Sequence, residues 1–150
     1  MNHYHRFDET MPRVNDTKKV VDCLWKAYQF TDELAPYMEF LEDMRSKSTR
    51  EINTNSSNET EEHIEKQEKY MDQIDKKKKA VMEQISKGEK ILANPKSPKF
   101  LDGHVNKLRS LWEEANTTSE DRLQALKGVK NSKNTKRQTI IIFLHVFVHL

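Results

Sequence analysis

Residues 104–127 read HVNKLRSLWEEANTTSEDRLQALK, and the apolar side chains in and just before this stretch recur at helical steps. Leu101, Val105, Leu108, Trp112, Ala115, Ser119, Arg122 and Leu126 stand four and three residues apart in alternation, with Leu111 and Leu123 flanking the line. That spacing stacks side chains along one stripe of an α-helix, the pattern of a helix packed lengthwise against others. Ser97-Pro98 supplies a start, a hydroxyl at the N-cap before a proline in the first turn. A helix over residues 98–127 is predicted.

Working upstream, Ala93-Asn94-Pro95-Lys96-Ser97-Pro98 reads as a loop. Before it, Ile64, Gln67, Met71, Ile74, Lys78, Val81, Ile85, Gly88 and Leu92 carry the same rhythm and predict a helix over residues 59–92. Asn58 with Glu61 predicts its capping box. Charge is ordered along it: residues 59–75 hold seven acids and two bases and residues 76–92 two acids and six bases, which suits the helix dipole. The polar run Asn53–Asn58 is a second loop. Cys23, Ala27, Phe30, Leu34, Tyr37, Leu41 and Met44 form a third seam, predicting a helix over residues 17–50. Pro36 lies inside it and predicts either a kink or a fresh helix start near Thr31 or Asp32, with Trp25 and Tyr28 packing outside the main seam. Loops this short impose antiparallel neighbours and set Glu61 and Glu62 near Arg45, Lys47 and Arg50.

The fold class is therefore all-α: an elongated antiparallel three-helix bundle over residues 17–127. Composition agrees, with 3 Gly and 4 Pro in 150 residues against 33% charged residues. Residues 1–16 lack periodicity and are expected to be disordered. Gly128–Gln138 carries four bases and no acid, and Thr139–Leu150 reads TIIIFLHVFVHL. This tail breaks the heptad. Its apolar part is too short to span a bilayer and its β-branched content predicts strand pairing rather than helix. Such a change of character predicts that residues after Lys127 are read-through sequence of a fragment or splice variant.

The details of the last two helices resemble a spectrin repeat. Val81, Ile85, Gly88, Ile91 and Leu92 resemble the family's closing pattern of its second helix. Val105, Leu108 and Leu111 before Trp112, and Arg122 with Leu123 and Leu126, resemble its third helix, Trp112 matching the family's tryptophan. Tyr37 stands where the family usually has its other tryptophan, a departure. The resemblance covers about residues 30–127 and points toward the giant actin-linked proteins of the dystrophin, nesprin and plakin type. It implies a non-catalytic spacer or scaffold, cytoplasmic and cytoskeleton-associated or at the nuclear envelope. The partners it implies are further spectrin-like repeats and actin or cytoskeletal adaptor proteins. The expected core anchors are Leu34, Tyr37, Leu41, Ile85, Leu92, Val105, Leu108, Trp112 and Leu126.

The chemistry of the remaining residues points the same way. No phosphate loop, nucleophile elbow or metal-ligand cluster is present, so no enzyme activity, cofactor or metal is expected. The acid pairs Glu61-Glu62, Glu113-Glu114 and Glu120-Asp121 fall off the seams and read as solvated faces. His145 and His149 stand four apart without a third ligand, and His3 and His5 lie in the lead-in. With 26 basic and 24 acidic residues there is no global attraction to nucleic acid. Lys76, Lys77 and Lys79 form a candidate partner patch, while Lys78, on the seam, is expected to lay its methylenes along the core. Cys23, the lone cysteine, excludes an internal disulfide. Two other functions fit the sequence. One is a small peripheral membrane protein contacting lipid through residues 128–150 with Lys127, Lys130, Lys133, Lys136 and Arg137. The other is a self-associating coiled coil.

Overall fold

The computed structural model describes the backbone of residues 2–148 and the side chains of residues 11–148. Three helices account for nearly all of it: α1 (Asn2–Ser48), α2 (Ser57–Leu92) and α3 (Phe100–Val148), with no strand among the described residues. The chain is an all-α, three-helix protein. Each helix contributes a segment to each of two compact units. The first unit takes α1 up to Phe40 together with Lys78–Trp112, and the second takes Leu41–Lys77 together with the chain from Glu113 onward.

In the first unit the core is wholly apolar: Ala27, Phe30 and Leu34 from α1, Val81 and Ile85 from α2, and Leu101, Val105, Leu108 and Leu111 from α3. Gly88 makes the close approach possible, since a Cβ added there would stand 2.5 Å from Val105 Cγ2 and 3.0 Å from the Phe30 ring. Residue numbers fall along α2 as they rise along α1, with Lys87 paired to Glu33 and Asn94 donating to Cys23 Sγ at 3.6 Å. The two helices are thus antiparallel here. Tyr37 and Leu92 are half-buried rather than fully enclosed. So is Trp112, and Leu111 at 3% exposure fills the layer the periodicity gave to the tryptophan. The buried positions there run from Leu108 to Leu111 to Ala115, steps of three then four in place of four then three, which moves the buried place by one residue.

The second unit mixes apolar and polar layers. Leu41, Met44, Ile74, Ala115, Leu123 and Leu126 are buried beside Ser48, Thr60, Gln67 and Ser119. Ile64, Leu123 and Leu126 cluster with Ile52 and Met71 against them. Here too a seam place shifts by one, Leu123 being buried and Arg122 half-buried. Burial, and secondarily the Arg50 charge, pushes the Arg122 guanidinium below its usual value, and Arg122 donates to the Arg50 carbonyl.

Several expectations give way to the structure. Helix α1 starts at Asn2, so residues 2–16 are helical, not irregular, and α1 passes through Pro12 and Pro36 without a separate start near Thr31. Once a helix is nucleated each added residue gains a hydrogen bond, and packing on both sides of Pro36 outweighs the one amide it lacks. Helix α3 begins at Phe100 and continues through Gly128 to Val148, so the tail expected as strand is helical. The same propagation carries it past the end of the seam. Helix α2 is capped two residues earlier than expected: Glu59 N donates to Ser56 Oγ at 3.2 Å, an N-cap on Ser56 in place of Asn58, and the Glu59 carboxylate reaches back to Asn55 N at 2.7 Å, one residue before the cap. Ser97 caps the end of α2 rather than the start of α3, its Oγ donating to the Ile91 carbonyl, one of the acceptors a helix end leaves unpaired.

Candidate interaction surfaces

Three surface features of the described residues are distinctive. The first is a second stripe on α1. Met11, Val14, Val21, Trp25 and Tyr28 are all about half exposed, and with Lys18 they follow steps of three and four on a face apart from the core seam. Tyr28 alone of them finds an aromatic neighbour, Phe100, with ring centroids 5.2 Å apart. Phe100 in turn sits edge-on to His104 at 6.0 Å.

The second feature is the end of α3. Ile140, Ile141, Ile142, Phe143, Leu144, Val146, Phe147 and Val148 are all more than half exposed, and Phe143 stacks on Phe147 at 6.4 Å. Because consecutive residues on a helix point about 100° apart, this band is apolar all round. Among the described residues no helix is long and apolar enough to cross a membrane. The bases that precede the band are partly engaged. Lys130 pairs with Glu61 at 3.0 Å, and Lys133 Nζ reaches the Thr54 carbonyl and Thr60 Oγ1, both at 3.3 Å. Glu61 therefore meets α3, and not Arg45 or Lys47 as the loop length suggested. Arg45 pairs with Glu114 at 2.5 Å, and Lys47 pairs with Asp43 at 2.6 Å while lying 5.3 Å from the Tyr70 ring centre. The reason is the helical continuation of α3, which places its own bases beside the start of α2.

The third feature is the polar layer buried in the second unit. Gln67, at 1% exposure, donates from Nε2 to Ser48 Oγ at 3.1 Å and to the Ser119 carbonyl at 3.2 Å. Ser48 and Ser119 share a hydroxyl–hydroxyl bond of 3.0 Å. Gln67 Oε1 has no partner. Each of the three helices contributes one member, so the layer joins all three through hydrogen bonds within the second unit. Its signal was present in the sequence as Gln67 and Ser119 on seams that are mostly apolar.

Lys76, Lys77 and Lys79 of the candidate partner patch are exposed, and so is Lys78, which was expected to lie along the core. Lys76 lies 2.6 Å from Asp72, whose carboxylate raises its pKa, by the hydrogen bond first and by charge second. The acid pairs Glu61-Glu62, Glu113-Glu114 and Glu120-Asp121 are exposed. Among the described residues no group of three His, Cys, Asp or Glu could hold a metal. The side chains of His3, His5 and His149 lie outside the described residues.

With these surfaces in place the chain can be set beside known proteins. It is 23% identical over 125 residues to the muscle-specific protein 300 kDa of Drosophila melanogaster, a similarity that covers 83% of this chain and 1% of that protein. A span of that length takes in parts of all three helices. No family model matches the chain, and no solved structure matches it.

Proposed function

We propose that this chain is a non-catalytic structural module, a spectrin-like three-helix repeat that serves as a spacer in a cytoskeletal protein. One observation carries the reading: three helices with heptad seams meet around a common core in each unit, while the 125-residue similarity to a muscle-specific protein runs across all three. The mechanism is mechanical. Side chains interlocked along whole helices hold their attachment points at a set separation, and marginal local stability lets such a module yield and recover under load. Its neighbours are further repeats of the same kind, its partners actin or cytoskeletal adaptors, and its place the cytoskeleton of muscle or the nuclear envelope.

The experiment is to probe cell extract with an antibody raised against residues 59–127. A band of hundreds of kDa is the expected result. A single band near 18 kDa overturns the spacer reading, because a lone module has nothing to hold apart.

A second reading rests on the exposed apolar band at Ile140–Val148, which suits contact with a lipid surface through residues 128–150. Flotation with anionic liposomes separates the two: the full chain rises with the vesicles on this reading, and stays below on the first.

A further inference from the structure

The loop between α2 and α3 holds a feature that a spacer does not need. In the first unit Lys26 of α1, Lys87 and Lys90 of α2, and Asn94 and Ser97 of the loop line one surface cavity of about 300 Å³, with Cys23 beside them. The space accommodates a tetrahedral anion together with several waters, each of which takes about 30 Å³. Lys87 pairs with Glu33, whereas among the described residues no ion pair joins Lys26 or Lys90 to an acid. Ser97 is followed by Pro98 and flanked by Lys96 and Lys99 in a loop whose residues 93–96 are exposed. The half-buried Ser97 is held by its Oγ bond to the Ile91 carbonyl and by Ser97 N to the Asn94 carbonyl at 3.0 Å, and the rest of the loop by Ala93 N to the Glu89 carbonyl at 3.0 Å, Asn94 N to the Ile91 carbonyl at 3.2 Å, Lys96 N to Asn94 Oδ1 at 3.0 Å, Asn94 Nδ2 to Cys23 Sγ at 3.6 Å and the Lys96–Asp16 pair at 3.8 Å.

We propose that Ser97 is a phosphorylation site for a proline-directed kinase, and that the cavity lined by Lys26, Lys87 and Lys90 receives its phosphate. In the transfer the γ-phosphoryl group of ATP forms an ester bond to Ser97 Oγ while its bond to the bridging oxygen of ADP breaks. ADP leaves, and the hydroxyl proton passes to the kinase's base and then to water. The change at the site is electrostatic. The hydroxyl gives up its bond to the Ile91 carbonyl, and a group carrying nearly two negative charges and three acceptor oxygens takes its place. Ammonium groups from two helices then have a shared counter-ion. The modified loop thus exchanges a hydrogen bond at the negative end of α2 for ammonium groups of α1 and α2.

The test uses the full chain, a proline-directed serine kinase and ATP. Phosphate is expected at Ser97, its incorporation lost in Ser97→Ala. In the phosphorylated chain, followed by phosphorus NMR, the second ionisation of the phosphoserine, near pH 6 when free, is expected about half a pH unit lower. Lys26→Gln combined with Lys90→Gln moves it back toward the free value while circular dichroism stays unchanged. A phosphate whose ionisation is lowered by folding adds stability above pH 6 and loses it as pH falls, which fixes the sign in melting experiments. Two results overturn the proposal. One is no phosphate on Ser97 under conditions where a peptide of residues 93–103 is modified. The other is a phosphoserine that titrates in the folded chain as it does in urea. Binding of inorganic phosphate by the unmodified chain at submillimolar concentration would assign the cavity to a free anion, and so also overturns it.

Discussion

Replacing Gly88 with alanine tests the close approach at the heart of the first unit. The added methyl would sit 2.5 Å from Val105 Cγ2 and 3.0 Å from two atoms of the Phe30 ring. Carbon atoms in contact settle about 3.5–4.0 Å apart, so room of roughly 1 Å must come from neighbours that have little to give. Val105 is β-branched and held to one rotamer in a helix, and Phe30 is only 1% exposed. Overpacking of this kind costs about 1–3 kcal/mol. Against it stands helix propensity, which favours alanine over glycine by about 1 kcal/mol in a helix interior. The net expectation is a loss of about 1 kcal/mol by the difference of those two ranges. Gly128→Ala is the control, because nothing lies within 4 Å of a Cβ there and only the propensity gain remains. Urea denaturation followed by helical circular dichroism should place the two variants on opposite sides of the parent chain, roughly 2 kcal/mol apart. Val105→Ala in the Gly88→Ala background should recover part of the loss. If Gly88→Ala stabilises the chain as much as Gly128→Ala does, the tight packing of α2 on α1 and α3 is refuted.

Three further expectations follow from the same structure. Leu108→Ala, at a fully buried position, should cost about 2–5 kcal/mol and more than Trp112→Ala, where a half-buried ring leaves less to lose; the reverse order in thermal melts would return the tryptophan to the core. Gln67→Leu removes the unpartnered Oε1 while the Ser48–Ser119 bond survives, so stability should hold or rise by about 1 kcal/mol, whereas Gln67→Ala should lower it; a large loss in Gln67→Leu means that its bonds matter more than the orphan oxygen costs. Charging the exposed band by Ile141→Lys with Phe143→Glu and Phe147→Lys should reduce sedimentable aggregate several-fold without shifting the unfolding midpoint by more than about 0.5 kcal/mol; a clear fall in the midpoint would show that these side chains pack.

Much of the fold was legible because one physical rule writes it. A helix that buries one stripe must place apolar residues three and four apart, and Ala27, Phe30, Leu34, Leu41 and Met44 on α1 lie buried along the line drawn from their spacing. Where the order of those steps changes, single-residue choices were not legible, as at Leu111 and Trp112 or at Leu123 and Arg122. Ends were less legible still. The bond between Ser97 and the Ile91 carbonyl joins residues six apart, through a turn whose course the local sequence does not state. Caps depend on which competing serine or asparagine reaches an amide first, and Ser56 prevails over Asn58.

The surfaces divide in the same way. The sequence by itself determined that three helical seams are separated by two polar loops, because composition and period are local properties that each segment carries alone. Only the tertiary structure decided which charges meet. Glu61 takes Lys130, Arg45 takes Glu114, and Gln67 stands between Ser48 and Ser119. It also gathered Lys26, Lys87 and Lys90 around Ser97, residues from α1, α2 and the loop that spread over nearly half the sequence. Pairing energies of exposed charges are too small to be anticipated from order along the chain. They are selected by helix register, and register is set by how cores and loops pack as a whole.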